Sequence, residues 1–276
     1  MGRRGVAAVA PLKKLLAWVW RRPAKVKVLL AAALGLCAVV ALKLLVKDHK
    51  QFFIASETVH FVGILVLIYK LTTQRTCTGL SLKTQELTAL FLAARLSCSY
   101  SMEGDIYTIL DFSTLISTLW VIYMIRFKLK STYIVELDNF PLYYVTVPCA
   151  ILAILIHPYT YHGRFARILW AFAVYLESIS VLPQLRMIHN TKMIEPFTAH
   201  YVFALGIARF LGCANWIIQV YDSAGKYLFL VGAGYIWLPM FLLAEIVQTF
   251  ILADFCYYYV KGVMNGQLIV RLPSPV

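Results

Sequence analysis

Hydrophobic positions along this chain are grouped into long runs, with most charged residues in the short segments between them. The runs predict helices near 26–46, 51–70, 80–100, 106–126, 143–160, 166–186, 197–219 and 228–261. A helix of about 20 residues spans the hydrocarbon core of a bilayer, and most of these runs approach that length. The last run contains Pro239, so we expect an irregular segment before a main helix that ends near Tyr259. The pattern predicts an all-α, polytopic membrane protein.

Composition supports a membrane protein. Hydrophobic residues make up 61% of the chain and charged residues 14%. Soluble domains contain about 45–50% apolar and about 25% charged residues, so a soluble globular domain is a poor fit. The formal net charge of +13 would suggest nucleic acid for a soluble protein. In a membrane protein, however, Lys and Arg concentrate in cytosolic loops, and this explanation is preferred here.

Charge also predicts the topology. If the N-terminus is cytosolic, most of the 26 Lys and Arg residues fall on the cytosolic side. We therefore predict a basic cytosolic arm over 1–25, an extra transmembrane helix over 26–46 and a cytosolic tail over 263–276. Both termini then face the cytosol. Within the arm, Leu12–Trp20 either lies on an anionic leaflet or is the positive flank of the first helix.

Ionisable residues inside predicted spans are the main candidates for a functional site, because they are costly in a bilayer. They are Glu57, His60, Arg95, Asp111, Glu177, His200, Arg209, Glu245 and Asp254. One interpretation is a set of ion pairs that join helices, such as Glu177 with Arg209. The other is a polar cavity, open to the lumen, in which Arg95 binds a carboxylate. The second interpretation requires that Arg95 is not fully neutralised by acids and has a wet space above it.

Two further features suggest roles for single residues. Trp216 shares a helix face with Arg209, and Trp170 could add to the same aromatic layer, although an interfacial belt is the alternative. Pro183 and Gln184 predict a kink, which is either a hinge for a moving bundle or a packing feature. Leu92–Arg95 recurs loosely as Gly206–Arg209, a faint internal repeat.

The sequence contains no catalytic constellation. It has no GxSxG, HExxH, P-loop or dinucleotide fingerprint, and its six cysteines form no CxxC pair. We therefore predict no enzyme, no metal site and no cofactor.

Several short motifs carry a family resemblance. They are Cys77–Ser81, Lys83–Gln85, Tyr175–Ser178, Leu182–Leu185, Thr198–Tyr201, Phe203–Gly206, Asn215–Trp216, Val247–Thr249 and Ala253–Phe255. Over 50–262 the chain resembles the KDEL receptor family, the ER lumen protein-retaining receptors. The resemblance implies a seven-helix SWEET/PQ-loop-like bundle of two triple-helix units, here with one extra N-terminal helix. It also implies a receptor of the ER and Golgi membranes. Such receptors bind C-terminal Lys/His-Asp-Glu-Leu signals of lumenal proteins and return them to the ER, with vesicle coat proteins and homo- or hetero-oligomers as further partners.

The resemblance also implies roles for residues of this chain. Ligand binding falls to Arg95, His60, Trp170, Glu177, Asn215, Trp216 and Arg209, with Arg95 at the ligand's carboxylate end and His60 linked to pH sensing. Asp254 is linked to transport. Several aligned positions depart from the family. Phe53 and Gln219 stand for arginines, Ala208 and Gly212 for tyrosines, and Cys98 and Arg167 for acids. These changes imply an altered specificity.

The sequence leaves other functions open. A small-solute transporter of SWEET/PQ-loop architecture would explain the kink and the lost pocket charge. A third option is a paralogue that binds no ligand and pairs with a true receptor.

Overall fold

The structure is a computed structural model that describes part of the chain. The described residues are 50–102, 106–160, 163–191, 193–223, 232, 234, 236–264 and 270–271. The predicted arm over 1–25, the extra helix over 26–46 and most of the tail over 263–276 lie outside them.

The described residues are almost entirely helical. The α-helices are α1 (Lys50–Thr73), α2 (Leu82–Met102), α3 (Ile106–Tyr123), α4 (Tyr143–Leu155), α5 (Arg164–Ile179), α6 (Leu182–Thr191), α7 (Pro196–Asp222) and α8 (Trp237–Met264). A π-helical turn, Met124–Lys128, and a 3-10 turn, Lys130–Thr132, follow α3. Two-residue strands β1 (Met193–Ile194) and β2 (Val270–Arg271) pair antiparallel. The predicted all-α class is confirmed.

Five helical stretches are long and apolar enough to cross a membrane. They are Phe52–Thr73, Thr108–Lys128, Arg164–Thr191, Pro196–Asp222 and Trp237–Met264. Among the described residues, two predicted spans fall outside this set, for different reasons. Helix α4 has 13 residues, and α2 is less apolar because it carries Lys83, Glu86 and Arg95 along its length.

The run predicted as one helix over 166–186 is two helices. Helix α5 ends at Ile179 and α6 begins at Leu182. Pro183 is therefore the second residue of α6, where its missing N–H costs no helical hydrogen bond. The backbone N–H of Gln184 donates to Thr84 Oγ1 at 2.8 Å, so a side chain of α2 caps α6. The break lies just upstream of the proline, rather than at it.

The last helix also starts later than the apolar run suggests. Helix α8 begins at Trp237, so Pro239 lies in its first turn, and it continues past Tyr259 to Met264. A proline in the first turn leaves the helix unbroken, because the N–H groups there have no helical acceptor.

Helix packing follows two units of three helices. Helix α3 packs against both α1 and α2, and α8 packs against both α5 and α7. Between the units, α1 packs on α7 and α2 packs on α5. The third helix of each unit thus contacts the first two, and the first helix of one unit meets the second helix of the other. This is the arrangement that the faint repeat and the resemblance predict, with α4 packed on α5 outside the units.

The start of α2 is capped by side chains from two segments. Ser81 Oγ accepts a hydrogen bond from the backbone N–H of Thr84 at 3.1 Å, the geometry of an N-cap serine. Asp138, from the segment before α4, accepts from Ser81 Oγ at 2.7 Å and from the backbone N–H of Lys83 at 3.1 Å. The buried carboxylate of Asp138 therefore ties the connection between α3 and α4 to the N-terminus of α2.

Lys70 is fully buried in the last turn of α1. Its Nζ donates to the carbonyl of Thr78 at 2.7 Å and to Thr198 Oγ1 at 2.9 Å. It also lies 2.6 Å from Glu195 Oε2. These contacts join the end of α1 to the start of α7 at the same end of the bundle.

Candidate ligand-binding site

A cluster of charged side chains lies at the centre of the bundle around Arg95. Its Nε and Nη2 donate to Asp111 Oδ2 and Oδ1 at 2.8 and 2.5 Å, a bidentate pair. Its Nη1 lies 3.2 Å from both carboxylate oxygens of Glu177, and its Nη2 lies 3.2 Å from Glu57 Oε2. One guanidinium thus meets carboxyl groups from three other helices.

Glu177 joins Arg95 to a second guanidinium. Arg209 Nη1 donates to Glu177 Oε1, which confirms the ion pair that the sequence suggested between these residues. The guanidinium carbons of Arg95 and Arg209 each lie 5.7 Å from the centre of the Phe91 ring. Phe91 therefore supports both cations through its π face. It shares a face of α2 with Arg95, one turn away, and sequence reasoning missed it.

Arg95 is paired with acids on three sides. Three carboxyl groups neutralise it, so of the two interpretations left open, the ion-pair set is the one the structure shows. Its side chain is nevertheless 15% exposed. If all are ionised, the carboxyls of Glu57, Asp111 and Glu177 outnumber the guanidinium groups of Arg95 and Arg209 by one, so the cluster carries a net negative charge.

Two more ionisable groups border the cluster. His60 lies one turn from Glu57 on α1 and is buried, and its Nε2 has no hydrogen-bond partner in the part of the chain that the structure describes. Glu245 of α8 accepts a hydrogen bond from Gln248 Nε2 at 2.5 Å. Within the described ranges, no group of three His, Cys, Asp or Glu side chains could hold a metal ion.

Aromatic rings form a layer beside the charged cluster. Trp170 lies two turns before Glu177 on α5, and its ring centre is 5.5 Å from that of Trp237. Trp216 lies two turns after Arg209 on α7 and makes an edge contact with Phe241, with ring centres 4.4 Å apart. The structure therefore places Trp170 and Trp216 where the sequence predicted an aromatic layer. Trp237, the first residue of α8, is fully buried there, and the sequence analysis did not single it out.

Three of the positions that depart from the resemblance, Ala208, Gly212 and Gln219, lie on α7 and have small or polar groups. Gln219 Nε2 donates to the buried Asn215 Oδ1 at 2.9 Å, one turn away on α7. Ser56 Oγ donates to the carbonyl of Ala208 at 2.7 Å. A Cβ on Gly212 would lie 3.6 Å from Ser56 Oγ. Short side chains on α7 therefore let α1 approach closely.

The expected polar cavity lined by Arg95 has a small counterpart. A cavity of about 10 Å³ lies beside Glu177 and Arg209, with Thr84, Thr88 and Gln248 also in its wall. A space of this size holds about one water molecule. It is far too small for a peptide, so a peptide would have to enter elsewhere or separate the helices.

Three other predicted residues lie outside the cluster. Gln184 is fully buried, and its side chain accepts from the backbone N–H of Ser81 at 2.9 Å and donates to the carbonyl of Gly79 at 2.8 Å. Gln184 therefore binds the turn before α2. Pro183 is buried in the first turn of α6, and Asp254 is exposed on α8.

Comparison with known proteins supports the resemblance. A family model described as ER lumen protein retaining receptor matches residues 76–219. The ER lumen protein-retaining receptor erd-2.2 of Caenorhabditis elegans is 36% identical over 225 residues, which cover 80% of this chain and 98% of that relative. ER lumen protein-retaining receptor 3 of Mus musculus is 34% identical over 226 residues, which cover 82% and 99%. The Drosophila melanogaster receptor is 33% identical over 228 residues, which cover 81% and 99%. The chain belongs to the ER lumen protein-retaining receptor family.

Proposed function

We propose that this protein is a receptor of the ER and Golgi membranes that binds C-terminal retention signals of the K/HDEL type and returns their carriers to the ER. The observation that carries the proposal is the similarity of this chain to proteins named ER lumen protein-retaining receptors, which it matches over 95% or more of their length. The buried charged cluster around Arg95 is the proposed ligand site, because charged groups at such depth cost free energy and mark candidate functional sites. A guanidinium is the group best suited to hold the terminal carboxylate of a peptide.

The cluster requires an exchange of partners when a ligand binds. A peptide carboxylate reaches Arg95 only if Glu57, Asp111 or Glu177 gives up a hydrogen bond to it. An additional anion in a cluster with an excess of carboxyls is unfavourable, unless a proton enters with it. Binding should therefore strengthen as pH falls. The ionisable groups involved are Glu57 and His60 of α1, Arg95 of α2, Asp111 of α3, Glu177 of α5, Arg209 of α7 and Glu245 of α8.

The remaining roles belong to the same proposal. The ligand enters from the lumen, both termini face the cytosol, and vesicle coat proteins bind on the cytosolic side. Asp254 contributes to transport, Pro183 and Gln184 form the hinge, and the protein has no enzymatic activity. The relatives are named as receptors, and none of the findings favours a solute carrier.

Peptide binding to the purified full-length protein tests the function. A labelled peptide ending in His-Asp-Glu-Leu should bind, and more tightly at about pH 6 than at about pH 7. The same peptide with an amidated C-terminus should not bind, because Arg95 then has no carboxylate to hold. Arg95→Ala should abolish binding. Arg126→Ala is the matched control, because Arg126 pairs with Glu86, is 58% exposed and should not matter. Equal binding of the acid and amide forms would exclude this role for Arg95. This comparison uses the unmodified protein, so it does not depend on whether a variant folds.

A further inference from the structure

Three exposed cations at one end of the bundle form a basic patch, which consists of Arg75, Lys128 and Lys130. The two lysines lie in the short turns that follow α3, and Arg75 lies in the connection between α1 and α2. All three side chains are exposed. Within the ranges that the structure describes, none of the three forms a salt bridge. Exposed positive charge of this kind attracts anions.

Contacts of Cys77 bring the three cations together. The backbone N–H of Cys77 donates to Thr132 Oγ1 at 3.1 Å, and Cys77 Sγ donates to the carbonyl of Leu129 at 3.4 Å. One cation of the patch lies two residues before Cys77, and the other two flank Leu129. Because consecutive Cα atoms are about 3.8 Å apart, the Cα of each cation lies within about 8 Å of the Cα of a residue in these contacts. Segments that are about 50 residues apart in sequence therefore place their charges at one surface.

Both segments of the patch have uncommon backbone conformations. Arg75 has a φ of 51°, in the left-handed region that residues other than glycine rarely adopt. Met124–Lys128 is a π-helical turn, in which the N–H of Leu129 donates to the carbonyl of Met124 at 2.8 Å. Such conformations persist where neighbouring contacts hold them, and they are frequent at functional sites. The tendency of basic residues to lie in cytosolic loops explains their presence at this end, but it does not explain why three of them surround one fixed contact.

Acids at this end of the bundle do not neutralise the patch. Glu86 forms salt bridges with two other basic side chains. Asp138 is buried, and its carboxylate accepts hydrogen bonds from the hydroxyl groups of Ser81 and Tyr133 at 2.7 and 2.6 Å. Glu136 is exposed and pairs with no cation in the described part of the chain. The patch therefore keeps its positive charge for a partner outside the protein.

The patch lies at the edge of a membrane-spanning stretch. Thr108–Lys128 is long and apolar enough to cross a membrane, so the residues that follow it lie at the level of the lipid headgroups. Phe127 and Val135 are 69% and 66% exposed close to the two lysines, and apolar side chains at this depth contact the boundary between headgroups and acyl chains. The predicted topology places this end in the cytosol, where the leaflet contains the anionic lipids. Positive charge beside exposed apolar side chains fits an anionic lipid better than a free anion.

We propose that Arg75, Lys128 and Lys130 bind the headgroup of a phosphoinositide, an anionic phospholipid with a phosphomonoester, in the cytosolic leaflet. A phosphomonoester has about 1.5–2 negative charges at neutral pH and three strong acceptor oxygens, so each cation can donate one charge-assisted hydrogen bond to it. The acyl chains of the lipid then lie against Phe127. The site is separate from the Arg95 cluster and does not rest on the proposed function.

Titration of the purified full-length protein with lipids, followed by native mass spectrometry, tests the site. The probes are phosphatidylinositol monophosphate, phosphatidylinositol and phosphatidylserine with identical short acyl chains. We expect the monophosphate to bind at least about tenfold more tightly than the other two lipids. Lys128→Gln combined with Lys130→Gln should remove this preference. Arg75→Asn should weaken it without adding backbone strain, because asparagine tolerates a positive φ. Arg186→Gln is the matched control, because Arg186 is exposed on α6 at the same end of the bundle, and it should keep the preference.

Three results would overturn the proposal. If the unmodified protein binds the monophosphate no more tightly than phosphatidylinositol or phosphatidylserine, the patch does not recognise a phosphomonoester. If Arg186→Gln weakens binding as much as the changes in the patch, positive charge at this end acts without a defined site. If inorganic phosphate at the same concentration displaces the lipid completely, the occupant is a free anion. Binding of the His-Asp-Glu-Leu peptide should be unchanged in the lysine double variant, so the failure of one proposal leaves the other standing.

Discussion

Replacing Glu177 by Gln tests the charged cluster most directly. Glutamine keeps the shape of the side chain but removes the charge that Arg95 and Arg209 share. The two arginines should not respond equally. Arg95 keeps Asp111 and Glu57, whereas among the described residues Glu177 is the carboxylate that pairs with Arg209. The loss of ion pairing should therefore affect Arg209 more than Arg95.

The magnitude follows from the burial of the pair. The side chains of Arg209 and Glu177 are 13% and 14% exposed. Removing one partner of a buried ion pair costs about 3–5 kcal/mol, and the residual exposure favours the lower end, about 3 kcal/mol. Removing both charges should cost much less than the two single changes together, because no buried charge is then left without a partner. The coupling energy should be about 1–3 kcal/mol.

The assay is reversible unfolding of the purified full-length proteins in one detergent. Glu177→Gln, Arg209→Met and the double variant complete the cycle. A second cycle with Glu177→Gln and Arg126→Met is the control, since Arg126 is exposed and pairs with Glu86. The control cycle should be additive. Additivity within about 0.5 kcal/mol in the first cycle as well would refute the claim that the Glu177–Arg209 contact stabilises the bundle.

Two further changes test the packing of the helices. Gly206→Ala should lower the free energy of unfolding by about 1–3 kcal/mol, because the new Cβ would collide with Cys256 Sγ, and Cys256→Ala in the same chain should restore most of the loss. An unchanged stability of Gly206→Ala would contradict the close contact of α7 and α8. Gln184→Leu should cost about 1–3 kcal/mol for each group it leaves unpaired, the Ser81 N–H and the Gly79 carbonyl. A decrease in the free energy of unfolding of less than about 0.5 kcal/mol in the same assay would mean that these hydrogen bonds do not stabilise the fold.

The sequence alone predicted the five described stretches that are long and apolar enough to cross a membrane, and the identity of the charged groups. Run length reports membrane crossing directly, so α1 and α7 begin and end within a few residues of their predicted bounds. Charged residues inside apolar runs are conspicuous because a bilayer penalises them, and Arg95, Glu177 and Arg209 were identified on that basis. The predicted ends of the helices that contain proline were less accurate. Pro183 and Pro239 both turned out to lie in first turns, where a proline begins a helix and leaves it unbroken.

Only the tertiary structure decided which groups meet. Whether Arg95 faces an open space or Asp111 depends on how three helices are rotated about their axes, and apolar runs without a polar face contain little information on rotation. The sequence pattern shows which residues are energetically unfavourable in a membrane. The partners of those residues are set by contacts between elements that come together only when the chain folds.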